Sequence, residues 1–332
     1  MKRLLVPVFV VCILVASCGG EPTQAPVRDS APDLLGKSSA PIIEPTQTFP
    51  ALAVVAPVSH PTATQKPRQF SPITPAPTRT VTFTSVPPTS EVEASAWKDL
   101  PVIPELIDAS LQRVYARGIA LGNDPHAFSL FGDCQARPGE FFGVFETDAA
   151  LIESLSPDLR ESVDYFGGSF NRESSTAQDG TTPGSLLWTQ WHRGEYGCTF
   201  AETPVECELR IHRPSFVIIQ IGTHFESRNT EYLRRVILQL LDAGVVPILA
   251  TKADNREKDE RINRDMAMLA AEYDLPLWNF WAAVSDLPNR GLYTRDDRPL
   301  QGDIYLTEEA TVIHRLSGLT ALNEVWRAVT GE

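Results

Sequence analysis

The chain is short of the residues that several function classes require. Lys and Arg total 29 against 42 Asp and Glu, a formal net charge of −13. No basic cluster stands in the part that looks globular, so a nucleic-acid partner is not expected, because phosphate binding demands concentrated positive charge. The histidines, among them His126, His192, His212 and His314, fall at no metal-ligand spacing with Cys or carboxylates. No metal or other cofactor is expected. Long apolar runs are also missing: the one from Leu4 to Val15 is too short for a comfortable membrane span. From residue 19 to about 96 no apolar period of two or 3.6 survives, which excludes a packed core there.

What is present divides the chain into three. Lys2-Arg3, the apolar run and the small residues Val15-Ala16-Ser17 before Cys18 have the layout of a secretory signal over residues 1–17. Small residues immediately before a cysteine resemble a bacterial lipobox, in which Cys18 becomes the lipidated first residue. An ordinary signal with an incidental cysteine is the alternative. The expectation is an extracytoplasmic protein anchored through Cys18 to membrane lipid, since each buried CH₂ of a lipid chain contributes about 0.8 kcal/mol. Residues 18–96 are rich in Pro, Thr, Ser and Ala, as in Pro72-Ile73-Thr74-Pro75. Such composition makes a disordered, semi-stiff tether that extends roughly 3 Å per residue. Residues 97–332 are long enough for one single-core domain.

The five cysteines sort themselves by position. Cys12 leaves with the signal and Cys18 takes the lipid. Cys198 and Cys207 flank a short loop and are natural disulfide partners in an oxidising compartment, a closure that contributes about 2–3 kcal/mol on the chain-entropy view. Cys134 is left as the odd thiol.

In the globular part, helical spacing runs from Trp97 to Gly118, and short helices are expected at 147–155 and 158–165 around the break at Ser156-Pro157. Apolar strands end at Gly132, at Ile221 and at Ala250, with a further strand over Leu277 to Phe280. The amphipathic stretches Glu231–Leu241 and about Glu257–Tyr273 lie between them. Strand, helix, strand, helix, strand with short joints predicts an α/β fold: a three-layer α/β/α sandwich around a mostly parallel, flavodoxin-like sheet.

Four landmarks on this frame carry a resemblance. Phe131-Gly132-Asp133-Cys134 ends the first strand, Phe166-Gly167-Gly168-Ser169 follows it, Ile221-Gly222-Thr223-His224-Phe225 ends the second strand, and Gly302-Asp303-Ile304-Tyr305-Leu306-Thr307 precedes the last helix. In order and setting they resemble the motif blocks of SGNH/GDSL hydrolases over roughly residues 120 to 330. The resemblance implies an ester or acyl substrate, for instance on cell-wall material or an extracellular polysaccharide. It puts Cys134 in the place of the nucleophilic serine. Gly168 is the better candidate for the second-block oxyanion donor and Gly167 the alternative. Gly222 and Thr223 stand in the third block, where His224 replaces the oxyanion asparagine. Tyr305 occupies the general-base position, with Asp303 one residue off the register of its orienting aspartate. A tyrosine of ordinary pKa is no base at neutral pH. Two readings follow: a hydrolase rescued by a Cys134–His224 dyad, or an inactive relative that binds a surface glycan or a protein.

Overall fold

The computed structural model describes residues 95–105, 107–223 and 229–332. The expected signal, Cys18, nearly all of the expected tether, Leu106, His224 and Phe225 lie outside the described residues. Helix α1 is Ser110–Leu121 and strand β1 Asp124–Gly132. After two short helical pieces, 144–147 and 149–154, come α2 Pro157–Tyr165 and α3 Pro204–Ile211. Strand β2 is Pro214–Gln220, α4 Thr230–Asp242, β3 Val246–Ala250, α5 Arg261–Glu272 and β4 Leu277–Trp278. A two-residue ladder, β5 Leu292–Tyr293 with β6 Tyr305–Leu306, precedes the closing helix α6 Glu308–Thr330.

The sheet is parallel in the order β1-β2-β3-β4. On the free edge of β1, Gly132 forms a parallel bridge with Ala177, and the Gly132 amide donates to the Thr176 carbonyl at 2.9 Å. In chain order this bridge lies between β1 and β2, and it occupies the place of an edge strand beside β1. Counting it, the order is that of a flavodoxin-like sheet, and the chain reverses direction across the sheet between β1 and β2. Open α/β sheets bind ligands at the carboxyl ends of the strands at such a reversal.

Side-chain alternation assigns the faces. Phe128 and Phe216 are register partners and share one face. Phe216 meets Tyr115 of α1 at 5.6 Å and Phe166 at 5.8 Å. Four residues on, Gln220 reaches His314 of α6 at 2.7 Å. The opposite face carries α3, where Glu208 accepts a hydrogen bond from Ser129 at 2.5 Å. Helix α4 joins it through the turn Ser185–Leu187, and α5 packs on β3. With both faces covered, β2 and β3 are buried along their whole length, as parallel strands require.

Several elements differ from the sequence expectation, each for a local reason. The helix expected from Trp97 shortens to a 3₁₀ turn at 96–99, and α1 starts at Ser110. Pro101 and Pro104 remove two amide donors and disfavour helical geometry in the residues before them. The helix expected over 147–155 breaks at Asp148, whose carboxylate caps the Leu151 amide at 3.1 Å. Helix α5 begins late because Lys258 and Glu260 hold positive φ. The strand expected to reach Phe280 stops at Trp278. There Asn279 turns the chain by bonding the Trp97 and Leu100 carbonyls at 2.9 and 3.0 Å.

Beneath α1, α2 and α6 the core is aromatic. Phe128 is fully buried and meets Phe142, Phe166 and Phe170 edge-on at 5.8, 5.5 and 4.9 Å, the geometry that ring quadrupoles favour. Replacing Phe128 with Ala is expected to remove roughly 3–5 kcal/mol of stability. Urea unfolding measures it, and a loss below about 1 kcal/mol would mean that this cluster does not organise the core.

Candidate functional site

At the reversal Gly132 closes β1 and Gly222 stands two residues beyond the end of β2. At Gly132 a Cβ would lie 2.5 Å from the Gln220 carbonyl oxygen and 2.2 Å from the Ala136 Cβ, so no larger residue fits between the strand ends. Gly222 has φ +155°, and a Cβ there would meet Ile262 and Lys252 at 2.6 and 2.8 Å. Asp133 joins the two ends. Its carboxylate is buried and accepts from the amides of Gly222 at 3.2 Å and Thr223 at 2.9 Å. Behind it the Thr223 hydroxyl donates to Asp254 at 3.4 Å. Lys252 lies between Asp254 and Glu257 at 2.7 and 2.6 Å, and Arg256 donates to the Thr223 carbonyl at 3.1 Å. Buried carboxylates persist when paired in this way.

Cys134 opens the 3₁₀ turn Cys134–Ala136 that follows. It is a free, half-buried thiol, with Sγ 4.0 Å from an Asp133 carboxylate oxygen. Burial pushes its pKa up, and the negative charges of Asp133, Asp179 and Asp254 push it further. These disfavour the thiolate and outweigh the Gln135 backbone amide, which pulls the other way, so at neutral pH the group is a protonated thiol and a poor nucleophile.

The thiol opens into a crevice of about 220 Å³ shared with Tyr305, Tyr293, Arg295 and Arg298. Gln135 fastens the far wall by donating to the Ile304 carbonyl at 2.7 Å. Positions 134 and 305 therefore meet, but Tyr305 arrives on the antiparallel β5–β6 ladder and not at the end of a strand of the main sheet. Its hydroxyl donates to Gln301. Its ring stands 6.0 Å from Tyr293 and beneath the Arg295 guanidinium at 5.2 Å.

Other expected site residues take structural duties. The Gly168 amide donates to Glu146 at 2.6 Å, and the same carboxylate accepts from the Phe170 and Asn171 amides at 3.2 and 3.1 Å. The Gly168 amide is therefore already hydrogen-bonded in this arrangement. The Gly167 amide turns to the Asp164 carbonyl at 3.5 Å. The Gly222 and Thr223 amides serve Asp133. Asp303 is exposed, and Asn289 at 3.0 Å and Thr294 both donate to its carboxylate. It braces the β5–β6 loop instead of orienting Tyr305. Cys198 and Cys207 are joined by a disulfide, with Cα atoms 5.3 Å apart.

Sequence reasoning missed the tie made by Asp133, although the Gly-Asp pair at a strand end was its signal. It also missed the arginines of the crevice, which no spacing announces.

No family model matches the sequence, and neither does any curated protein. Solved structures do resemble it. A G-D-S-L family protein from Desulfitobacterium hafniense is 14% identical, the match covering 60% of this chain and 99% of that one, with a TM-score of 0.36. A Bacteroides fragilis protein described as an acylhydrolase is 16% identical over 67% of this chain and 100% of that one, with a TM-score of 0.38. A GDSL-like lipase from Bacteroides thetaiotaomicron is 16% identical over 67% and 98%, with a TM-score of 0.36. The likeness is one of fold. What this chain does with that fold is a question for its own residues.

The raised thiol pKa sets a sign. At pH 8 Cys134 is expected to alkylate with iodoacetamide more slowly than a free cysteine, and to speed up only as pH rises beyond the ordinary thiol range. Mass spectrometry of the Cys134 peptide in the full chain reads the rate. Asp179→Asn, at an exposed carboxylate, should accelerate it roughly two- to threefold by removing one neighbouring charge. A wild-type rate matching free cysteine would contradict the electrostatics drawn here.

Proposed function

We propose that the chain is an SGNH/GDSL-type protein whose hydrolytic site has become a binding crevice, held outside the cytoplasm on a lipid-anchored tether. Acyl transfer needs an activated nucleophile, a base within hydrogen-bond reach and donors aimed at the oxyanion. The observation that carries the reading is the pairing of Cys134, a thiol kept protonated by its neighbours, with Tyr305, a phenol bonded to Gln301. The amides of Gly168, Gly222 and Thr223 are committed to carboxylates. Loss of the base alone typically costs on the order of 10⁴–10⁶ in rate. Binding needs none of these parts.

The anchoring half of the proposal rests on the signal-like start, the small residues before Cys18 and the Pro/Thr-rich composition of residues 18–96. Together they describe a domain presented away from a membrane surface, within reach of a surface polymer or a neighbouring protein.

A second reading has one observation in its favour. The Thr223 amide lies on Asp133, so the chain passes the neighbour of Cys134 immediately before position 224. A Cys134–His224 dyad would make the protein a thiol-dependent hydrolase.

Hydrolysis of p-nitrophenyl acetate and longer acyl esters separates the two. Wild type and Cys134→Ala are expected to give equal background rates, and Tyr305→His is expected to stay within roughly tenfold of background because the oxyanion donors remain committed. Turnover lost on Cys134→Ala and on His224→Ala would establish the dyad in place of the binding crevice.

A further inference from the structure

The crevice beside Cys134 does not end there. A second depression, lined by Arg137, Asp179, Trp191 and Tyr196 among others, shares Arg137 and Asp179 with it. A third, lined by Trp188, Trp191, Tyr232 and Arg235, shares Trp191 with the second. The three form one path over the surface from Tyr305 to Tyr232.

Three features of the path point to one class of ligand. The first is aromatic surface held open to solvent: Trp188 is 53% exposed, Tyr293 44% and Tyr232 38%. Exposed rings clustered along a groove mark a contact surface. The flat C–H faces of pyranose rings lie naturally against them. The second is charge. In a chain of net charge −13, the path is lined by Arg137, Arg193, Arg235, Arg295 and Arg298 against Glu140, Asp179 and Glu195. Arg137 pairs with Asp179 and Glu173 and Arg295 with Asp297, so among the described residues Arg193, Arg235 and Arg298 are the ones without an ion pair. Guanidinium forks match carboxylate geometry. The third is continuity: Arg137 and Trp191 sit at the joints between successive depressions, so a polymer crossing from one to the next meets a guanidinium and then an indole.

The wall is stiff enough to be a site before a ligand arrives. Buried His192 accepts from the Gly194 amide at 2.9 Å and donates to the Glu202 carbonyl at 2.8 Å. The Cys198–Cys207 disulfide ties the same loop to α3. Preorganisation of this kind lowers the entropic cost of binding.

We infer that the path is an extended binding groove for an anionic polysaccharide bearing carboxylate groups, with Trp188 and Tyr232 as sugar platforms and Arg193, Arg235 and Arg298 as carboxylate clamps. This inference rests on the binding reading above and adds the ligand class. It puts the main sugar contacts at residues remote in sequence from Cys134.

Affinity electrophoresis of the full chain tests it, in gels containing polygalacturonate, neutral dextran or dextran sulfate. Polygalacturonate is expected to retard the protein and dextran is not. The double variant Trp188→Ala/Tyr232→Ala, at exposed positions, should weaken retardation about tenfold, as loss of aromatic anchors does. Arg298→Ala should weaken it and reduce its salt dependence. Retardation by dextran sulfate alone would mean ion exchange, and equal retardation by dextran would remove the carboxylate clamps. Each of these results overturns the inference. Ester turnover would sink the preceding reading and leave the groove standing, whereas no retention by any polymer, with turnover absent, would sink the groove alone.

Discussion

One buried carboxylate organises this end of the molecule. Asp133 sits where the sheet reverses direction and accepts amides from a strand end 89 residues away. Without an acceptor, the Gly222 and Thr223 amides would be buried donors with nothing to bond, an expensive condition in a dry edge. Gly132 follows from the closeness of the strand ends, where the Gln220 carbonyl leaves no room for a side chain, and Gly222 from its positive φ and from Ile262 and Lys252 packed against it. Lys252, Arg256 and Thr223 complete the network around Asp133 and Asp254.

The charge that ties the strands together also governs the chemistry next door. A thiol placed against Asp133, with Asp179 and Asp254 near, is held in its neutral form. The amides of Gly168, Gly222 and Thr223 are already bonded to carboxylates. On the reading proposed above, structural ties at the sheet edge and acyl-transfer chemistry compete for the same amides. The crevice meanwhile collects guanidinium groups on its outer wall, which suits recognition of anions more than reaction with esters.

Much of the frame was legible because it depends on local pattern. Strands β2 and β3 read as unbroken apolar runs, since a parallel strand covered on both faces has no solvent side. Helix α4 showed its amphipathic stripe to within a residue of its ends. Misreadings came where one polar residue or a proline overrode the pattern: Pro101 and Pro104 ahead of α1, Asp148 inside a helical stretch, Asn279 at the end of β4. His314 had no legible role either. It proves to be a core imidazole, bonded to Gln220 and driven by burial to a pKa of about 3.

The sequence by itself determined the layered α/β frame, the order of strands β1 to β4, the unpaired status of Cys134 and its position at a strand end, because periodicity and strand-end glycines are properties of neighbouring residues. Tertiary structure alone decided which amides Asp133 and Glu146 would consume, that Tyr305 would arrive on a separate antiparallel ladder, and that arginines from distant segments would line one path. Those outcomes depend on contacts between residues far apart in the chain, where spacing carries no information and only the packed sheet edge brings the partners within hydrogen-bond reach.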